Sequence, residues 1–394
     1  MRIVVVTHQF FPRYYSGVER ITLNLATQFA RMGHECTVMT SAAHSSGDSR
    51  PFVHEGVRVV PLDLSRADVV RPWAQPHRRA EAVGRAIAAE QPDIVHILHA
   101  MRLPEAFSEA ESAGVPIVAH VPDLFYPCAR GTMIRRDRSL CASAEGGTAC
   151  ASACWIKPGR ERLRWAQQTL DRAGAVVCPS RATIEVHREN GFDTSHWQHI
   201  PWGVDYAIHG PRTRRSRTGP LVVGFLGTLL EHKGSRVAVE ALRAAPDLDV
   251  ELRLYGGSFH EVRYERELRR LATADPRVSF RGAYEHAELR SVLAELDAVV
   301  IPSLWRENLP TTGLNAVAAG VPLLVSDVGG LVELLEDYRC GFSFAVGDGD
   351  ALASLLSRFV EEPELLDKVR DGMRYPPGIE DEAWRLLQLY EALR

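Results

Sequence analysis

Gly224-Phe-Leu-Gly-Thr-Leu-Leu-Glu-His-Lys-Gly234 reads as a strand end, a glycine turn and a lysine set just ahead of a helix. Units of this kind build parallel α/β layers, because a strand that hands its chain to a helix can return beside itself in the same sheet. Working outward from it, Leu221 to Leu226, Val250 to Tyr255, Val278 to Phe280, Ala298 to Pro302 and Pro322 to Ser326 are short apolar runs separated by helical stretches. The first half shows the same alternation: Ile3 to Thr7, a helical stretch from Val18 to Met32, Glu35 to Thr40, then Asp93 to Ile97, Pro116 to Ala119 and Ala175 to Cys178. The pattern predicts an α/β protein with two parallel sheets in two similar domains. The polar, basic stretch from Ala207 to Pro220 reads as the linker between them. Ile379 to Leu393 has apolar residues at helical spacing, as a terminal helix that packs back across the domains would.

The size fits. A chain of 394 residues with 45% apolar content can fill two cores, which argues against a single small binding module. With 46 basic against 50 acidic residues, the net charge of −4 carries no global footprint for nucleic acid. No apolar run approaches the ~18 residues of a membrane span, and Met1 to Val6 passes straight into Thr-His-Gln without the core of a signal peptide. The expectation is a soluble, cytoplasmic protein, at most peripheral at the inner face of the membrane, with its seven cysteines reduced.

No G-x-G-x-x-G follows the strand at Ile3, and Lys233 precedes Gly234 where a P-loop would have Gly-Lys-Ser/Thr, so dehydrogenase and ATPase readings fall. Lys233 ahead of a helix N-terminus suits a diphosphate; a solvated loop lysine is the plain alternative. In Pro302-Ser-Leu-Trp-Arg-Glu-Asn-Leu-Pro-Thr-Thr-Gly-Leu-Asn-Ala-Val-Ala-Ala-Gly-Val-Pro322 a helix begins near Thr311, and Glu307 lies in the loop before it. A carboxylate there can accept hydrogen bonds from sugar hydroxyls while the helix end faces a phosphate, or it can simply cap the helix. Ser326-Asp-Val-Gly-Gly-Leu-Val-Glu333 supplies a further glycine turn followed by an acid.

These segments are joined by Ser16-Gly-Val-Glu19, Gly33-His-Glu-Cys-Thr-Val38, Pro179-Ser180 leading to Pro201-Trp-Gly-Val-Asp205, and Ala318-Ala-Gly-Val-Pro322. In this order and spacing, over nearly the whole length, the chain resembles a retaining glycosyltransferase of family 4 with the GT-B fold. The resemblance implies two Rossmann-like domains facing across a cleft: an acceptor domain over residues 1–205, carrying a cysteine-rich insertion at about 124–158, a donor domain over 206–374, and a crossing helix over 375–394. It implies transfer from a UDP-, GDP- or ADP-sugar to a hydroxyl of a glycan, lipid-linked or small-molecule acceptor, in glycan, glycolipid or glycosylated natural-product biosynthesis, with no cofactor needed for transfer. Lys233 would contact the diphosphate, Glu307 the sugar hydroxyls, and amides at Leu309, Thr311 and Thr312 both sugar and phosphate. Gly227 and Thr228 would shape the diphosphate loop, with Gly17 near the phosphate from the other domain. The nucleobase is expected beside Gly256, Gly257, Arg281 and Tyr284. His120 and Asp123 complete the expected catalytic set with Glu307 and Lys233.

Three positions depart from the family pattern. Asn315 stands where a second glutamate, eight residues after Glu307, usually grips the ribose. Thr228 stands where a basic residue often follows the glycine, and Pro122-Asp123 stands for the usual His-Asp, with His120 two residues before the proline. These departures keep two rivals in view: a catalytically silent partner that binds a nucleotide sugar, and a sugar-nucleotide 2-epimerase.

Two features lie outside that scheme. Cys128, Cys141, Cys150 and Cys154 are spaced compatibly with a structural zinc held by thiolates, or are packed reduced thiols. Arg130, Arg135, Arg136, Arg138, Lys157, Arg160, Arg162 and Arg164 interleave with apolar residues including Trp155 and Trp165. That mixture suits an anionic membrane surface, or a solvated face above two core tryptophans.

Overall fold

The computed structural model describes residues 1–206, 219–258 and 261–394. The linker expected at Ala207 to Pro220 therefore lies almost wholly outside the described residues. The chain packs as two units, one formed by Met1–Gly203 with Ile379–Arg394 and the other by Val204–Gly378.

The first unit has eight strands: β1 (Arg2–Val6), β2 (Glu35–Ser41), β3 (Phe52–His54), β4 (Val57–Leu62), β5 (Ile94–Ile97), β6 (Ile117–His120), β7 (Ala175–Cys178) and β8 (Gln198–His199), in the order β3-β4-β2-β1-β5-β6-β7-β8. Only the β3–β4 pair is antiparallel. That hairpin escapes the sequence reading because its turn is only Glu55-Gly56, both at positive φ, and β3 is a three-residue edge strand with no fully buried residue.

The second unit has six strands, β9 (Leu221–Leu226), β10 (Val250–Tyr255), β11 (Val278–Gly282), β12 (Ala298–Ile301), β13 (Leu323–Ser326) and β14 (Gly341–Phe344), ordered β11-β10-β9-β12-β13-β14 and all parallel. β9, β12 and β13 are buried at every residue, as strands covered by helices on both faces must be. Edge strand β14 mixes Ser343 with its aromatics and was not expected.

Strand order fixes where a ligand can sit. In each unit the chain builds outward to one side of a central strand and then resumes on the other, leaving a crevice at the carboxyl ends of the two strands flanking the reversal. That crevice lies between β1 and β5 in the first unit and between β9 and β12 in the second.

The terminal helix Ile379–Leu393 belongs to the first unit. The Tyr390 ring packs 5.7 Å from that of Phe29 on helix Gly17–Arg31. Its hydroxyl lies 2.6 Å from His96 Nδ1 on β5, and Glu382 accepts the Gly203 N–H at 2.6 Å. Among the described residues no helix is long and apolar enough to cross a membrane.

Candidate active site

In the second unit, the loops after β9 and β12 press backbone to backbone. Gly234, at φ +71°, lies so close to the Pro302 carbonyl that a Cβ would stand 1.8 Å from its oxygen, and the Leu304 N–H donates to the His232 carbonyl at 2.8 Å. Only glycine fits both the left-handed turn and the contact. This fixes the two residues that the sequence places 74 positions apart: Lys233 Nζ donates to Glu307 Oε1 at 2.8 Å. Ser303 Oγ donates to the same oxygen at 2.7 Å, and Lys233 Nζ lies 4.8 Å from the Trp305 ring centre. Ser303 and Trp305 were not singled out by sequence, though both lie inside the quoted run.

Glu307 is 5% exposed. Burial alone pushes its carboxyl up, but the Lys233 charge and the hydrogen bonds from Lys233 and Ser303 outweigh that and hold it below the usual carboxylate range. The second glycine turn clamps the same loop from behind. Gly330 N–H donates to the Glu307 carbonyl at 2.9 Å, and a Cβ on Gly330 would lie 1.4 Å from the Asn308 carbonyl oxygen. Glu333 is buried in the first turn of the helix that follows.

Helix Thr311–Ala318 begins beside this pair. Its first amides have no partner within the helix and carry the positive end of the dipole. Leu309 is buried just before it, while Thr311, Thr312 and Asn315 are half-buried on it. Thr312 Oγ1 donates to the Leu226 carbonyl at 3.3 Å, joining the helix to the end of β9. Gly227 and Gly256 meet at the ends of β9 and β10, where a Cβ on Gly256 would fall 1.9 Å from the Gly227 carbonyl oxygen. Gly257 accepts the Leu229 N–H at 3.1 Å, and Thr228 is half-buried between them. Tyr284 packs edge-on to Tyr255 at 6.2 Å. Arg281 is the exception: its guanidinium runs back along the sheet to Glu251, at 3.1 Å, and its Nε to Ser279. In this structure the Arg281 side chain is thus paired away from the glycine turn.

In the first unit the crevice between β1 and β5 holds residues the sequence did not mark. His8 follows β1 and His99 follows β5, with ring centres 4.1 Å apart. His99 is held at both nitrogens: Nδ1 accepts the Met101 N–H at 3.2 Å, and Nε2 lies 3.0 Å from Asp123 Oδ2. Asp123 also accepts the Phe125 N–H at 2.8 Å; burial works against its charge, but His99 and these bonds hold its carboxyl below the usual range. Arg102 donates to Gln9 at 2.7 Å and stands over the Tyr14 ring. Burial, with His99, Arg102 and His44 as neighbours, keeps His8 neutral, and its Nδ1 is buried without a hydrogen-bond partner. Gly17 opens helix Gly17–Arg31, whose Glu19 accepts the Ser16 N–H at 2.7 Å and reaches toward His8 at 3.9 Å. No local motif could have found His8, His99 and Arg102, since they arrive from loops some ninety residues apart.

His120 does not join this group. It is fully buried, its Nδ1 3.0 Å from His96 Nε2 and its ring stacked 4.4 Å from Trp202. Burial, reinforced by His96, holds it well below the usual histidine range. The expected catalytic histidine is therefore a packing residue in the core, tied through His96 to Tyr390.

The four insertion cysteines line one small cavity. Their neighbourhood divides the basic stretch: Arg162 is 3% exposed and donates to the carbonyls of Phe125 and Tyr126, while Arg136 stacks on Trp155 at 3.4 Å. Trp165 packs against the core, but Trp155 is 69% exposed, so the expectation of two core tryptophans is half corrected.

The model for Glycosyltransferase Family 4 matches residues 15–207, and that for Glycosyl transferases group 1 matches residues 211–374. The chain is a family 4 glycosyltransferase. This glycosyltransferase is 27% identical to the glycogen synthase of Mycobacterium tuberculosis over 391 residues, covering 92% of this chain and 87% of the relative. It is 27% identical to that organism's GDP-mannose-dependent alpha-mannosyltransferase over 373 residues, covering 90% and 88%. Its fold matches that of Anabaena HepE, solved with UDP and glucose, at a TM-score of 0.74 and 18% identity over the whole of both chains. It also matches sucrose-phosphate synthase from Thermosynechococcus elongatus, at 0.76 and 18%, covering 99% of this chain and 98% of the other. Nucleotide-sugar-dependent transfer is thus the activity of the family; the silent-partner and epimerase readings gain nothing from these comparisons.

Proposed function

We propose that this glycosyltransferase moves a sugar from a nucleoside-diphosphate donor, UDP- or GDP-linked, to an acceptor hydroxyl with retention of anomeric configuration. The observation that carries the proposal is the pairing of half-buried Lys233 with buried Glu307 at the crevice of the second unit, beside the first turn of helix Thr311–Ala318. Lys233 and Ser303 both donate to Oε1, and an ionised carboxylate has accepting sites on each oxygen, so Glu307 receives sugar hydroxyls on Oε2. Lys233 and the amides of Leu309, Thr311 and Thr312 carry the charge that develops on the leaving diphosphate, which is catalysis by preorganised electrostatics and positioning. Asp123, Oδ1 and Oδ2 fixed by Phe125 and His99, and His8, with its unpartnered buried Nδ1, form the edge that receives the acceptor hydroxyl. The GDP-mannose-dependent alpha-mannosyltransferase among the relatives supports a hexose as the transferred sugar.

The test is release of nucleoside diphosphate from a panel of UDP-, GDP- and ADP-sugars with candidate acceptors, with the anomeric configuration of the product read by NMR. An inverted product would overturn retention. Turnover that survives unchanged in both Lys233→Ala and Glu307→Gln would overturn the site.

Exposed Trp155 and Leu140, beside Arg136 and Arg138, favour peripheral contact with an anionic membrane and hence a lipid-linked acceptor. Flotation with anionic vesicles, lost in Trp155→Ala and absent with neutral vesicles, checks that reading; equal recovery with both vesicle types refutes it.

A further inference from the structure

The insertion between β6 and β7 gathers four of the seven cysteines from three separate turns. Cys128 follows the turn at Leu124, its N–H donating to the Leu124 carbonyl. Cys141 closes a small hairpin in which Ile134 bridges Leu140 and the Cys141 N–H donates to the Met133 carbonyl at 2.8 Å. Cys150 and Cys154 lie four apart on helix Thr148–Cys154, on one face. All four side chains line one cavity whose other walls are Pro127, Met133, Ile134, Ala144, Ala149 and Ile156.

The frame around this cavity is rigid where it needs to be. Gly147 and Gly159 touch backbone to backbone, so that a Cβ on Gly159 would stand 2.3 Å from the Gly147 oxygen and 2.9 Å from Cys150 Cβ. Asn190 anchors the segment between Cys141 and Cys150 by accepting the Ala144 N–H at 2.8 Å. Two arginines stand in the segments that carry the thiols: buried Arg162 donates to the Phe125 and Tyr126 carbonyls just ahead of Cys128, and Arg135 lies in the hairpin that Cys141 closes. Packing alone gives an apolar pocket no reason to collect four thiols with two arginines in the segments around it. A metal held by four thiolates supplies one, since a divalent ion with four thiolates carries two net negative charges, which the two arginines balance.

We propose that Cys128, Cys141, Cys150 and Cys154 bind one zinc ion as a tetrahedral tetrathiolate that fixes the insertion. As the side chains stand, no three His, Cys, Asp or Glu groups among the described residues are arranged to hold a metal. Part of the reason is visible: Cys141 Sγ is turned onto the Ser143 carbonyl at 3.2 Å. Binding turns the thiols from such contacts into the cavity they already line, and each of the four gives up its proton to solvent as its Zn–S bond forms. The remaining cysteines, Cys36, Cys178 and Cys340, lie outside this cavity.

The readout is metal, not activity. Full-length protein purified without chelators and with reductant should hold one zinc per chain by elemental analysis. Cys150→Ser with Cys154→Ser should lose it, and cobalt exchanged into the wild type should show the ligand-field bands of a tetrahedral thiolate site. A single Cys36→Ser variant should keep its zinc, separating loss of ligands from loss of folding. Absence of stoichiometric metal, iron with acid-labile sulfide in its place, two disulfides among these four residues by mass spectrometry, or zinc that persists when all four are serine would each overturn the proposal.

Discussion

The crevices of the two units handle buried titratable groups in opposite ways. In the second unit an ion pair, Lys233 with Glu307, is held under the sheet edge by the Ser303 hydroxyl and two glycine contacts. In the first unit burial keeps His8 neutral at the crevice, where Asp123 holds its charge only against His99, and in the core it keeps His96 and His120 neutral and raises the Glu382 carboxyl to about 8. The difference follows from the partners each sheet edge supplies. A buried charge persists when an opposite charge and donors meet it; a group without them stays neutral. A fixed charge pair is what a leaving diphosphate and sugar hydroxyls require. A neutral His8 beside a carboxylate held by His99 and Phe125 is an edge that can accept a hydrogen bond from an acceptor hydroxyl.

The comparison breaks most sharply at Glu307. Glu307→Gln keeps the shape but removes the charge opposite Lys233, and should lower kcat/KM by ~10²–10³-fold, in the range seen when one preorganised electrostatic contact is lost. The sign of its pH effect is also set. Because the folded carboxyl titrates below its unfolded value, its stabilisation is complete above the unfolded pKa and fades as pH falls through the folded one. Glu307→Gln should therefore flatten the acid limb of thermal stability between about pH 4.5 and lower pH. An unchanged kcat/KM would remove Glu307 from the donor site.

At the acceptor edge the expected loss is smaller. Asp123→Asn keeps the bond from Phe125 but weakens the hold on His99, and should reduce kcat by ~10–100-fold with little change in donor KM. His120→Gln, by contrast, should lower the melting temperature more than it lowers kcat at a temperature where the variant is folded, because His120 is a core residue stacked on Trp202. If the two variants exchange these phenotypes, the assignment of edge and core is wrong.

Asn315 tests the nucleotide end of the same contrast. Asn315→Glu places a charge-assisted acceptor on helix Thr311–Ala318, where charge-assisted bonds are about twice as strong as neutral ones. Nucleoside diphosphate should bind about five- to tenfold more tightly, a gain of roughly 1 kcal/mol by calorimetry. Unchanged affinity would mean that the ribose does not reach this position.

What could be read before the fold was known divides along the same line. The donor crevice is written in continuous runs: Lys233 follows its strand by a fixed turn, and Ser303, Trp305, Glu307 and the helix at Thr311 share one stretch of chain, so local spacing carries their geometry. The Arg281 side chain is held by Glu251 on the neighbouring strand β10, which no spacing rule encodes. The acceptor crevice is assembled from the ends of β1, β5 and β6. Its members look unremarkable in sequence, and His120 looked functional only because it precedes Asp123; it ends a strand that is buried at every residue and so lies in the core. The insertion cysteines were visible as a cluster in sequence, but only the fold shows that all four face one cavity.

The smallest effect concerns Glu382, the carboxyl in the first unit that burial keeps protonated. Its folded pKa, at about 8, lies above the ordinary carboxylate value. The folded chain therefore holds a proton that the unfolded chain has released, and stability contributed by the protonated form is complete below the unfolded pKa and lost as pH rises through the folded one. Glu382→Gln retains an oxygen to accept the Gly203 N–H and cannot ionise. The wild type should lose thermal stability steadily from about pH 5 to 8 relative to the variant, with the variant ahead at the upper end. Parallel melting curves for the two proteins across that range would show that Glu382 is ionised in the fold after all, and that the neutral character of the first unit stops at its histidines.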